Sequence, residues 1–160
     1  MLAVRILCVG KLKERFYADA AAEYEKRLGA FCRTELIELP EERLGDRPSQ
    51  AEIDAALLRE AERIEKKLLK DAVLIALCVE GEQLSSEELS GLLTRTEGSG
   101  RPRMNFVIGG SFGLAPGIKE QANLRLSMSR MTFPHHLARV MLLEQIYRGF
   151  QIREGTKYHK

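Results

Sequence analysis

Asn105-Phe106-Val107-Ile108-Gly109-Gly110-Ser111-Phe112-Gly113-Leu114 opens the stretch that decides the fold, and the stretch runs on to Phe150. A short, mostly apolar strand passes directly into a glycine turn. A second apolar segment follows, Leu124-Arg125-Leu126-Ser127-Met128-Ser129. It breaks at Met131-Thr132-Phe133-Pro134-His135-His136 and enters a very apolar helix, Leu137 to Phe150. Two strands ending in two loops, the second feeding a helix, describe part of an open α/β sheet, where ligands bind beyond the carboxyl ends of the strands. The stretch is expected to build a ligand cleft and a subunit interface together.

Upstream, the pattern repeats. Leu2 to Val9 is mostly apolar and β-branched and meets Gly10, which marks a buried strand. From about Glu14 to Leu28, Tyr17, Ala21, Tyr24 and Leu28 fall on one helical face. Thr34 to Leu39 reads as a second strand, stopped by Pro40; Glu41 to Pro48 reads as a mobile polar loop, and Glu41 to Gln50 is expected to carry nothing functional. Ser49 and Glu52 match a capping box, and that helix is expected to reach about Lys70, with Ile53, Leu57, Ile64 and Leu68 inward. Ala72 to Val79 is an almost unbroken apolar run, the mark of a central strand. A second capping box, Ser85 with Glu88, starts a helix to about Thr94; Glu97 to Arg103 is loop. Alternating strands and helices predict a mainly parallel sheet with helices on both faces, in one domain over residues 1–160.

Composition sets limits on this reading. The chain has 160 residues, 44% hydrophobic and 30% charged, with a net charge of +2. A chain of that length buries roughly 70% of its unfolded surface and needs no disulfide staples. Cys8, Cys32 and Cys78 are odd in number and lack metal-site spacing; Cys8 and Cys78 fall in apolar runs as buried thiols, which fits a reducing, cytoplasmic setting. Met1 to Gly10 is too short for a secretory signal, and no apolar run has the length of a membrane span. The small net charge permits an RNA partner without requiring one.

Several motifs have competing readings. The glycine turn matches neither the dinucleotide fingerprint nor the P-loop. It therefore favours a smaller ligand such as a nucleoside, or else a plain strand-to-helix turn. A side chain at Gly109 would then fill space the ligand needs. Gly109-Gly110-Ser111-Phe112-Gly113 also fits G-x-S-x-G, the nucleophile elbow of serine hydrolases. An elbow needs a helix directly behind the serine, and here Gly113 and Pro116-Gly117 delay it. His135 and His136 are adjacent, so they point different ways and make a poor chelating pair; no metal is expected. The helix from Leu137 to Phe150 is apolar around most of its circumference, which calls for a second partner, and a symmetric dimer would supply it. At the chain end, Lys157-Tyr158-His159-Lys160 joins cations to an aromatic ring, a combination that suits RNA bases and phosphates or a disordered tail.

At Phe106 to Gly113, Met131 to His135 and Tyr158-His159-Lys160 the chain resembles the ribosomal RNA large subunit methyltransferase H family of the SPOUT, or α/β-knot, superfamily. The resemblance extends to Val9-Gly10-Lys11-Leu12-Lys13, Glu23 to Gly29, Ser85-Ser86 and Leu143-Glu144-Gln145-Ile146-Tyr147-Arg148. It implies a deep trefoil knot in the C-terminal half, a homodimer, and S-adenosylmethionine as methyl donor. The reaction it implies is N3-methylation of a pseudouridine in 23S rRNA. Carried over by motif, the cofactor contacts are Leu77, Gly109, Met128, Ser129, Arg130, Met131, Thr132 and Phe133. Tyr158 and His159 are then the groups that assist or position the target base, and Arg148, Arg153, Lys157 and Lys160 face RNA. The readings from other classes are a non-catalytic RNA- or ribosome-binding module and a serine hydrolase acting through Ser111.

Overall fold

A computed structural model describes all 160 residues. The elements alternate: β1 (Ala3–Val9), α1 (Arg15–Leu28), β2 (Arg33–Leu39), α2 (Gln50–Glu65), β3 (Val73–Glu82), α3 (Ser86–Glu97), β4 (Arg103–Ile108), α4 (Pro116–Gln121), β5 (Leu124–Leu126) and α5 (His135–Arg153). The five strands form one sheet in the order β2-β1-β4-β3-β5, and every neighbouring pair is parallel.

Side-chain alternation along the strands divides the core into two layers. Val4, Ile6 and Cys8 of β1, with Met104, Phe106 and Ile108 of β4, pack against α1, α3 and α5. Leu7 and Val9 of β1, with Val107 of β4 and Leu74 and Ala76 of β3, pack against α2 and α4. Each large side chain so buried contributes roughly 1.5–3 kcal/mol. Both expected capping boxes form: Ser49 Oγ accepts the Glu52 N–H at 3.2 Å, and Ser85 Oγ accepts the Glu88 N–H at 3.0 Å.

Two expectations from sequence are revised. α2 stops at Glu65 and not near Lys70. The backbone of Leu69 is captured instead by Asn105 of β4, which bonds both its N–H and its carbonyl, and Asp71 takes a positive φ of 53°. β3 runs beyond Val79 to Glu82. It pairs with β5 at Ile75 to Leu77 and again at Glu82, so the residues between arch outward. Gly81 closes that arch where only glycine fits: a Cβ there would sit 2.8 Å from the backbone of Arg125 and Leu126. The apolar circumference of α5 is covered in part by its own chain, and Leu137, Val140 and Met141 stay half-buried. Leu142, Leu143, Ile146 and Phe150 join the core layer shared with α1 and α3, and no large apolar residue of α5 is exposed.

The arch within β3, the glycine turn after β4 and the long loop after β5 all lie at the carboxyl edge of the sheet.

Candidate functional site

A cleft of about 790 Å³ opens at that edge. Its walls come from Leu77 to Glu80 on the β3 arch, Ile108 to Leu114 in the glycine turn, and the segment after β5. The size falls within the roughly 300–1,000 Å³ typical of small-molecule sites, and eleven of its 22 lining residues are hydrophobic. Leu77, Gly109, Met128, Ser129, Met131, Thr132 and Phe133 all line it, whereas Arg130 is exposed and outside the lining. The rim is apolar too: Val79, Phe112 and Met131 are 57%, 49% and 73% exposed. Lys119 and Glu80 form an ion pair across one side at 2.5 Å.

The glycine turn is held by its own backbone and by a distant carboxylate. Gly113 has φ +80°, and its N–H donates to the Gly110 carbonyl at 3.1 Å. A Cβ on Gly109 would collide with the backbone of Gly113. That glycine is therefore required by the turn itself, and a side chain there would break the turn before it filled any ligand space. Glu41 Oε1 accepts the Ser111 N–H at 2.8 Å and fills the space beside Gly110. The loop from Glu41 to Pro48, expected to carry nothing, thus braces the cleft wall. Ser111 Oγ bonds neither histidine, and the next helix begins only at Pro116, so no nucleophile elbow is present.

His135 and His136 open α5 beside Gly10, Glu41 and Glu14. Burial, then the neighbouring His136, lowers the pKa of His135. One turn on, Arg139 is buried, donating to Glu38 at 2.7 Å and to the Gly10 carbonyl at 3.2 Å. Its Nε has no partner. This pin ties the start of α5 to the ends of β1 and β2. No group of three or more His, Cys, Asp or Glu side chains gathers as metal ligands.

The C-terminal tail is folded back onto the molecule. Tyr158 donates to Glu144 of α5 at 3.1 Å, and its ring lies edge-on to Tyr147. Burial, with the negative Glu144 beside it, pushes the Tyr158 phenol up to about 12. His159 Nδ1 lies 3.2 Å from Arg148 and Nε2 lies 2.8 Å from Glu87. A guanidinium only donates, so Nδ1 is the acceptor and Nε2 carries the proton towards Glu87. Arg148 is also bonded to Glu144 at 2.6 Å, and Arg153 to Glu97 and Glu154. Of the four cations expected to face RNA, only Lys157 and Lys160 are exposed and unpaired. None of these tail groups lines the cleft of its own chain. Glu41, Glu87, Arg139 and Glu144 were missed in the sequence. Each is an ordinary charged residue until the fold brings its partner near.

Solved structures share this architecture. A probable methyltransferase from Bordetella pertussis Tohama I superposes with a TM-score of 0.59 at 19% identity, over 91% of this chain and 93% of that one. A probable methylase family protein from Haemophilus influenzae Rd KW20 gives 0.55 at 15%, over 98% of this chain and 70% of that one. Among curated relatives, ribosomal RNA large subunit methyltransferase H of Streptococcus equi subsp. zooepidemicus (strain MGCS10565) is 46% identical over 159 residues, covering 99% of this chain and all of that protein. The Streptococcus pyogenes serotype M12 (strain MGAS2096) protein of the same name is 45% identical over the same span. A family model described as "Predicted SPOUT methyltransferase" matches residues 2–159. With full-length relatives at that identity and a sheet-edge cleft of this build, the chain belongs to the SPOUT methyltransferase family, in the group of ribosomal RNA large subunit methyltransferase H proteins.

Proposed function

We propose that this protein is a homodimeric cytoplasmic enzyme that transfers a methyl group from S-adenosylmethionine to N3 of a pseudouridine in 23S rRNA. The cleft carries the donor half of this reading. It is built from three strand-end loops, lacks a phosphate-binding loop, and mixes apolar with polar residues. That lining suits an adenosine and a methionine tail with no pyrophosphate. The names of the close relatives support the ribosomal RNA half. The knotted C-terminal half implied by the resemblance belongs to the same reading.

S-adenosylmethionine supplies an activated sulfonium methyl, so the protein contributes mainly orientation and desolvation. The arch within β3 and the Met128–Phe133 loop would hold the donor, with Arg130 outside the cleft lining, while Gly109 shapes the turn beneath it. Tyr158 stays protonated through neutral pH and acts as a hydrogen-bond donor. His159 takes the N3 proton once Arg148 releases its Nδ1. Both act from outside their own cleft, so they reach a methyl donor from a second copy of the chain. Lys157 and Lys160 meet phosphate, and Arg148 and Arg153 join them when their carboxylates are displaced.

Calorimetric titration with S-adenosylmethionine tests the donor. Methylation of ribosomes from cells lacking the enzyme, followed by nucleoside mass spectrometry, tests the acceptor. Saturable binding and a methylated pseudouridine are expected. A folded protein that binds ribosomes but not the donor would establish a non-catalytic module instead.

A further inference from the structure

A second groove, of about 1170 Å³, adjoins the cleft and shares Ser111, Phe112 and His135 with it. It runs between the Gly10–Glu14 turn after β1 and the Pro40–Gly45 loop after β2. Its charges are arranged unevenly. Most of its carboxylates are already engaged: Glu38 by Arg139 and the Leu12 N–H, Glu41 by the Ser111 N–H, and Glu42 by Arg59 and Arg63. Glu14 lies 3.4 Å from His136. The cations are free. Lys11, Lys13 and Arg43 are exposed and form no ion pair. At the threshold between groove and cleft stands the half-exposed Phe112 ring.

We propose that this groove is the path of the substrate RNA strand, with Lys11, Lys13 and Arg43 on its phosphates and Phe112 stacking a base at the mouth of the donor cleft. The inference rests on the RNA-methyltransferase reading and deepens it by fixing where the RNA lies. Free cations along a groove track a nucleic-acid backbone, and an exposed aromatic ring offers a stacking platform indifferent to base identity. Arranged in this way, the groove delivers a single-stranded nucleotide to the one place where both spaces meet. The C-terminal tail is a separate RNA element, since none of its residues lines this groove.

The test compares wild type with the triple variant Lys11→Gln/Lys13→Gln/Arg43→Gln, and with Phe112→Ala and Phe112→Tyr. Each variant is assayed for S-adenosylmethionine affinity by calorimetry and for kcat/KM on ribosomes from cells lacking the enzyme, across a salt series. The triple variant is expected to keep donor affinity and thermal midpoint, because its side chains are exposed. Its kcat/KM falls at least tenfold, and its salt dependence becomes shallower by about 2 in log–log slope, roughly 0.7 for each lost phosphate contact. Phe112→Ala loses about tenfold or more in kcat/KM, and Phe112→Tyr, which keeps the ring, restores most of it. Unchanged kcat/KM and salt slope in the triple variant, beside an active wild type, would overturn the groove and leave the enzyme standing. A wild type that neither methylates nor binds ribosomes would overturn both.

Discussion

Arg139 is the largest fully buried side chain, and Glu38 answers its charge. Removing one partner of a buried pair costs about 3–5 kcal/mol. Glu38 keeps some contact with water, so Glu38→Gln is expected near the low end, about 3 kcal/mol, in urea denaturation at neutral pH. Burial alone would raise the Glu38 carboxyl, but the bonds from Arg139 and the Leu12 N–H outweigh it and hold it below its ordinary 4.5. A carboxyl lowered by folding stabilises the protein above 4.5 and loses that contribution as pH falls through the lowered value. The gap between wild type and Glu38→Gln should therefore be full at neutral pH and close in acid. A gap that stayed constant down to about pH 3 would remove Glu38's charge from the account. Neither partner was legible beforehand, since an arginine on an apolar helix reads as a surface break in the pattern. Glu41 was equally silent: its bond to Ser111 spans 70 residues and crosses a loop without periodicity.

Among the elements, α5 carries the next prediction. Its sequence was read as too apolar for one chain, yet α1 and α3 flank it. Ile146 is wholly buried, so Ile146→Glu tests folding and is expected to give insoluble protein. Met141 is only half-buried, so Met141→Glu is the probe of assembly. Sedimentation should find the wild type dimeric at micromolar concentration and Met141→Glu shifted towards monomer with its helix content intact. An unshifted Met141→Glu dimer would move the interface off this face. Element type and order were readable because strand alternation and both capping boxes are local signals. The end of α2 was not, because Asn105, far along the chain, ends it. The arch in β3 was hidden for the same reason: its geometry follows from pairing with β5, and a glycine between Glu80 and Glu82 does not announce a pairing partner.

For the whole molecule, strand-helix alternation made the parallel sheet legible, while strand order was not, since β4 inserts between β1 and β3 by tertiary contact. The cleft was half legible: its strand ends could be found, but not the loop of Glu41 that braces them. The tail, read as free or mobile, is docked on α5 and α3 through Glu144, Arg148 and Glu87. Truncation after Gly155 removes that dock without touching the cleft. Donor affinity and dimerisation should survive, and methyl transfer should drop about 100-fold or more. Calorimetry and single-turnover methylation on the same truncated protein check both halves, and lost donor affinity would assign the tail to the cleft after all. The sheet itself has one more consequence. Its open borders are β5, only three residues long, and β2, which carries Arg33, Glu35 and Glu38 and is closed off by Pro40. Short or charged borders offer little template for strand addition. Edge-to-edge aggregation and fibre growth through this sheet are thus disfavoured, which leaves helices and loops as the better surfaces for joining copies.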